Sequence, residues 1–325
     1  MSFLNRRTTV LLAAAACLGV PLAAQAQAFP AKPITVVVPY APGGGVDIVT
    51  RILTKELAPG LGQSFVVDNK PGASTNIGMG AVAKAAADGY TLLTASPSLT
   101  SNGALFRSLP FNPATDFTAI GKIGYAPLVV VVPTASPFKT LKELIEHGKS
   151  NPTALTYGSA GNGSSGHLAS ELLLQQTGMK AVHVPYKGGS PAITDLLGER
   201  ISFMSINPLE VLAHIQAGKL RALATYGTKP VASLPDLPTT ASLGWPNLDA
   251  TVWWGFVGPK GMPAEVVERL NAELQKTLAR KEVQDQLAAR GAIVDAGTAT
   301  QFEAFTRAET AKWAKVIKDA GIQAD

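Results

Sequence analysis

Val36-Val37-Val38-Pro39-Tyr40-Ala41-Pro42-Gly43-Gly44-Gly45-Val46-Asp47 passes from a β-branched run, through a loop of three glycines, into an apolar helical pattern. Glycine has no Cβ, so the backbone of such a loop approaches a ligand closely. The first N–H groups of the next helix have no intrahelical partner and carry partial positive charge. Strand, bare loop and helix start together make a seat for a small anion. Val184-Pro185-Tyr186-Lys187-Gly188-Gly189-Ser190, leading into Ile193-Thr194-Asp195-Leu196-Leu197, repeats the arrangement more weakly. Two such loops point to two halves closing on one small molecule.

The surrounding pattern alternates strand and helix. Strands are expected over 34–39, 64–68 and 90–95, with helices over 46–57 and 78–87 between and after them. Such alternation argues for a mostly parallel sheet with helices on its faces. A long strand over 120–132 reaches from one domain into another. The βα pattern then restarts, with strands over 154–157, 181–185, 201–205 and 220–225. Helices are expected over 141–149, 167–176, 193–198 and 209–217. Residues 228–249 hold Pro230, Pro235, Pro238 and Pro246 and read as a connection. A strand over 251–257 returns, and helices over 264–289 and 300–320 end the chain. The expected architecture is α/β, with two lobes and a two-stranded hinge. Lobe 1 takes residues 29–130 plus 252–325, and lobe 2 takes 131–251. Ligands in such folds sit at the carboxyl ends of strands and at domain interfaces.

Residues 1–28 read as an export signal. Arg6 and Arg7 precede an apolar stretch over 10–20, too short to span a bilayer, and small residues place cleavage after Ala26 or Ala28. General secretory and twin-arginine export both fit. Cys17 is the only cysteine, and a lipoprotein reading of it lacks the usual leucine-like residue before it. The mature chain would hold about 297 residues, no thiol, and 26 basic against 23 acidic side chains. This excludes thiol catalysis and cysteine–metal sites. No basic block suits nucleic acid. A periplasmic, globular protein is expected.

Gly161-Asn162-Gly163-Ser164-Ser165-Gly166 matches G-x-G-x-x-G between a strand and a helix. The acidic residue a dinucleotide needs is missing; Pro185, Tyr186 and Lys187 stand in its place. A plain anion site and an ordinary turn remain. Asn76 is an expected helix N-cap and also a candidate for the cleft. Asp47 has two readings, a helix-dipole partner paired with Arg51 and a ligand contact. His147, His167, His183 and His214 look scattered, with no metal spacing, and His167 reads as part of a cap. No G-x-S-x-G elbow is present. Trp253 and Trp254 face opposite sides of a strand, and both read as core.

Lys32-Pro33-Ile34, the glycine loop, Asn69-Lys70-Pro71-Gly72-Ala73 with Asn76-Ile77-Gly78, Ala87-Asp88-Gly89-Tyr90-Thr91-Leu92-Leu93, Gly161-Asn162-Gly163, His183-Val184-Pro185-Tyr186-Lys187-Gly188, Ala217-Gly218-Lys219-Leu220-Arg221-Ala222-Leu223-Ala224 and Lys312-Trp313 with Val316-Ile317 together resemble the tripartite tricarboxylate transporter receptor family of Bug-type periplasmic solute-binding proteins. The resemblance implies a Venus-flytrap fold of the type II kind. It implies a receptor that presents a small organic carboxylate to a permease of one large and one small subunit; no base–nucleophile pair, metal cluster or complete cofactor fingerprint is legible, so no enzyme, cofactor or metal is expected. It implies a carboxylate held by backbone amides and small hydroxyls. Pro42, Gly44, Gly45, Asp47, Asn76 and Ser96 would come from one lobe. Ser159, Gly163, Ser164, Tyr186, Lys187 and Asn207 would come from the other. A monomer is expected. Rival readings are a ligand sensor for a two-component system and a secreted α/β hydrolase. Many relatives carry an acidic residue where this chain has Ile206, before Asn207. If that position faces the cleft, the pocket loses a charge and favours a ligand without an amine.

Overall fold

The computed structural model describes residues 29–324, and the expectations for the export signal, with Arg6, Arg7, Cys17 and the cleavage positions, lie outside them. The first lobe is built from β1 (Ile34–Val38), α1 (Gly45–Leu61), β2 (Phe65–Asn69), α2 (Asn76–Ala83), β3 (Thr91–Ala95), α3 (Ser98–Leu105) and β4 (Phe117–Pro127). The second holds β5 (Val129–Pro133), α4 (Leu141–Ser150), β6 (Thr156–Ser159), α5 (Ser165–Thr177), β7 (Val182–Pro185), α6 (Gly189–Leu197), β8 (Phe203–Ile206), α7 (Pro208–Gln216) and β9 (Leu220–Thr225). The chain then returns through β10 (Thr251–Pro259), α8 (Ala264–Leu278), α9 (Lys281–Ala288), β11 (Ile293–Gly297) and α10 (Ala299–Ala320).

Six strands make one sheet in the order β11-β4-β10-β3-β1-β2, and five make the other in the order β7-β6-β8-β5-β9. Parallel pairing is confined to β2-β1-β3 and β7-β6-β8, the strands linked by helices. The strands next to the crossings, β4, β10 and β5, pair antiparallel. The expected strand over 120–132 is therefore two strands in two sheets, broken at Leu128. The Leu128 amide donates to the Ala250 carbonyl at 3.1 Å, and the Tyr226 amide donates to the Leu128 carbonyl at 2.9 Å. Both passages between lobes thus run side by side.

Side chains of β1 alternate between two cores. Val36 and Val38 pack with Leu53 of α1 and Leu270 of α8, while Val37 packs with Met79 of α2 and Phe302 of α10. Trp254 joins the first core and Trp253 the second. The expected helix over 264–289 is two helices. Arg280 is extended (φ −73°, ψ 129°) and its guanidinium meets Glu56 of α1 at 2.9 Å. This turn lets α9 bury Val283 and Leu287. Strand β11 and helix α3 were not expected from local pattern; β11 is short and largely exposed, and α3 is rich in Ser and Thr. The carboxyl ends of β1, β3, β6, β7 and β8 all open onto the gap between the lobes.

Candidate ligand-binding cleft

The first glycine loop turns at Gly43, whose φ of +80° is the left-handed conformation that favours glycine. Asp47, in the first turn of α1, holds this turn from inside. Its Oδ2 accepts from the Gly43 amide and from Arg51 Nε, both at 2.9 Å, and its Oδ1 accepts from Asn69 Nδ2 at 2.9 Å. Burial pushes this carboxyl up, but Arg51, Gly43 and Asn69 outweigh it and hold it below the ordinary value. Asn69 also donates to the Tyr40 carbonyl at 3.1 Å. Tyr40, buried, bonds through its hydroxyl to Ser96 at 3.0 Å and Ser98 at 2.8 Å.

The loop over 160–164 in the second lobe rests on three stacked rings. His167 and His183 lie 4.2 Å apart, and Tyr157 stacks on His183 at 4.8 Å. The histidines that look scattered in sequence are therefore partly gathered, because β7 lies beside β6 and α5 follows it. Burial lowers the His167 pKa to about 4; burial and then His167 lower that of His183 to about 3. Both rings are neutral at pH 7. His167 Nδ1 accepts from the Gly163 amide at 3.2 Å, and His183 Nε2 meets Ser159 Oγ at 2.7 Å. Ser159 also bonds Gly161 and is buried. So basic a task as deprotonating Ser159 at pH 7 does not suit a ring titrating near 3. This serine and histidine shape the loop. Ser164 is the N-cap of α5 and accepts from the His167 amide.

The two lobes touch. The Ala41 amide donates to the Lys187 carbonyl at 3.0 Å, Ser190 Oγ to the Pro42 carbonyl at 3.0 Å, and Ser101 Oγ to the Gly163 carbonyl at 2.9 Å. Between them lies a cavity of about 30 Å³, lined among others by Tyr40, Gly44, Gly45, Ser96, Ser164, Asn207 and Glu210. That is room for about two waters. Five helix starts converge on it: Gly44-Gly45 of α1 and Pro97 of α3 from the first lobe, and Ser164-Ser165 of α5, Gly189 of α6 and Asn207 of α7 from the second. A much larger depression of about 1070 Å³ lies among α3, α8, α10 and the 113–119 segment. It belongs to the first lobe alone, whereas the smaller cavity is walled by both lobes, so the smaller cavity is the candidate site.

Of the expected residues, Gly44, Gly45, Ser96, Ser164 and Asn207 line this cavity together. Gly163 faces α3 across the gap, and Pro42 contributes its carbonyl at the rim. Asp47 and Ser159 are turned into their own loops. The Tyr186 hydroxyl donates to Asp195 at 2.7 Å, and Lys187 is exposed, reaching the other lobe only through its carbonyl. Asn76 is not the N-cap of α2; Thr75 holds that position, and Asn76 Oδ1 accepts from Asn102 Nδ2 at 2.8 Å. The reason is the left-handed run Ala73, Ser74, Thr75 (φ 44°, 50°, 76°), which wraps the Asn102 amide and starts the helix one residue earlier, at Asn76. Ile206 does not face the cleft. It is buried in the second lobe's core with Val129 and Met204, so its lack of charge does not reach the ligand.

Glu210 escapes sequence reading. An N-cap residue followed three positions later by Glu is an ordinary helix start, which hides its second role. Here Glu210 is half-buried but its carboxylate end lies buried beneath the first loop, with Oε1 accepting from Asn207 Nδ2 at 2.6 Å and the Gly45 amide of the other lobe acting on the carboxylate. Burial raises its pKa from 4.5 to about 6, against the pull of Gly45 and Asn207. A raised carboxyl pKa stabilises the fold fully below the ordinary value and loses that contribution as pH rises through the folded one. The cost is about 2 kcal/mol. Between pH 4 and pH 7.5 the stability of the unmodified chain, measured against Glu210→Gln by urea unfolding, will fall by about that amount; a constant difference between the two proteins would refute it.

This fold and cleft define a two-lobed solute-binding protein, and the solved relatives include periplasmic binding protein BugD, at TM-score 0.87 and 33% identity over 91% of this chain and all of that one. Residues 49–322 match the model of the tripartite tricarboxylate transporter family receptor, and the chain belongs to that family. Protein BugT of Bordetella pertussis is 36% identical over 307 residues, 94% of each chain. Rpa4515 of R. palustris, solved with adipate, has a TM-score of 0.88 and 35% identity over 91% of this chain and 99% of that one.

Proposed function

We propose that the protein is an extracytoplasmic receptor that captures a small organic carboxylate between its lobes and delivers it to a tripartite tricarboxylate-type permease. The observation that carries this is the convergence of five helix starts, from both lobes, on one cavity. The adipate held by Rpa4515 supports a carboxylate here. On this reading residues 29–130 plus 252–325 and residues 131–251 swing as bodies about Leu128 and the 226–251 return. Asp47, Ser159 and His167 position the amides, while Gly44, Gly45, Ser96, Ser164 and Asn207 meet the ligand. Pro42, Gly163 and Lys187 add closing contacts, and Asn76 and Tyr186 brace the loops beside them. The chain acts as a monomer after losing its export signal near Ala26 or Ala28, and it turns nothing over.

Closure joins loops that have no contact in the open form, so ligand adds its contacts to the closed state alone. A thermal-shift screen of mono-, di-, tri- and aromatic carboxylates tests the reading. At 100 times its Kd a true ligand adds about 2.7 kcal/mol and raises Tm by several degrees. A flat response to the whole screen would reject a carboxylate receptor.

A further inference from the structure

Among the described residues, six buried side-chain polar atoms have no hydrogen-bond partner, and three of them, Asn102 Oδ1, Asn207 Oδ1 and Glu210 Oε2, belong to side chains at the meeting faces of the lobes. All three are acceptors. The amide orientations follow from their partners. Asn207 Nδ2 points at a carboxylate oxygen of Glu210, and a flipped amide would set two acceptors against each other. Asn102 Nδ2 likewise points at the Ser74 carbonyl. A buried acceptor without a donor bears its desolvation cost uncompensated.

Asn207 and Glu210 are the N-cap and first turn of α7, and both line the same cavity. A buried carboxylate calls for a cation or several donors. No lysine or arginine acts on Glu210; its influences are burial, the Gly45 amide and Asn207. Of the charged groups nearby in the first loop, Asp47 and Arg51 are paired with each other. Tyr40 is bonded to Ser96 and Ser98, and burial holds its phenol neutral.

We propose that Asn207 Oδ1 and Glu210 Oε2 receive a ligand ammonium, so that the solute is a small carboxylic acid carrying a charged amine and not a plain carboxylate. This rests on the receptor reading above and narrows it. The ligand's carboxylate takes the helix starts of α5 and α6 and the hydroxyls of Ser96 and Ser164. The ammonium, with three donors, fills the gap beside α7. The charge absent at Ile206 is restored by Glu210, one helical turn further on, which reverses the preference expected from the sequence.

The test is calorimetric titration, at pH 7.5, of straight-chain monocarboxylates and dicarboxylates of three to six carbons and of 3-phenylpropanoate, each against its 2-amino derivative. For the pair that binds most tightly, the amino acid should bind the unmodified chain at least about tenfold tighter, as a charge-assisted hydrogen bond gives. Glu210→Gln should bring that pair within about threefold, chiefly by weakening the amino acid. Asn207→Ser should weaken the amino acid in the same sense and serves if the first variant folds poorly. Tighter binding of the plain acid by the unmodified chain, or an unchanged ratio in a variant that melts like it, overturns the proposal and leaves the receptor reading standing. Binding of no acid overturns both.

Discussion

Replacing Gly45 with alanine will abolish ligand-driven closure and leave the protein folded. A Cβ at this position meets Asn207 Nδ2 at 2.8 Å, Asn207 Oδ1 at 2.9 Å and Glu210 Oε1 at 3.0 Å, all from the opposite lobe. Those atoms cannot give way cheaply, because Asn207 is buried and bonded to the Glu210 carboxylate, whose Oε2 is itself buried. Gly45 begins α1 and its φ is not in the left-handed region, so alanine carries no backbone strain there. Affinity for any acid that raises the Tm of the unmodified chain should fall by about 100-fold or more, since a misplacement near 1 Å at a site of oriented contacts has effects on that scale. The melting temperature without ligand should stay level, helped by the helix propensity of alanine. Titration calorimetry and melting curves decide it. Retained affinity in Gly45→Ala would mean that the ligand binds with the lobes further apart than they stand here.

The second large effect lies in the core. Trp253→Ala should lower unfolding free energy by about 3–5 kcal/mol, the range for emptying a large aromatic site. Trp253 is buried on β10, edge-on to Phe302 at 5.7 Å and Phe305 at 5.3 Å, so its loss leaves a cavity and breaks two aromatic contacts. Its sequence neighbour Trp254 occupies the other face of the sheet, where the main core lies. Urea unfolding measures the change. A loss under about 1 kcal/mol would show that the face carrying α10 contributes little to global stability.

The alternation of β-branched runs and apolar helices gave away the two lobes, and the glycine loops gave away the cleft, because both are local signals. What stayed hidden depends on distant partners. Nothing around Leu128 announces that one apolar run divides between two sheets; a run of valines suits either. Ala279 and Arg280 are sound helix residues, yet the helix breaks there because Glu56 and the core of α1 lie to one side. His167 and His183 are 16 residues apart and meet only through the pairing of β6 with β7. Glu210 looked like a helix start because locally it is one. Asn69 and Asn102, which brace the loops, each reach segments at least 18 residues away.

Ser190 and Pro42 approach across the gap at a place open to solvent. With the sole cysteine at position 17, residues 29–325 offer no competing thiol. A single dye attached through cysteine at position 190 would therefore label one site, and its brightness would follow the distance between the jaws. The molecule is in this respect already most of a fluorescent sensor, able to report its own solute before that solute is named.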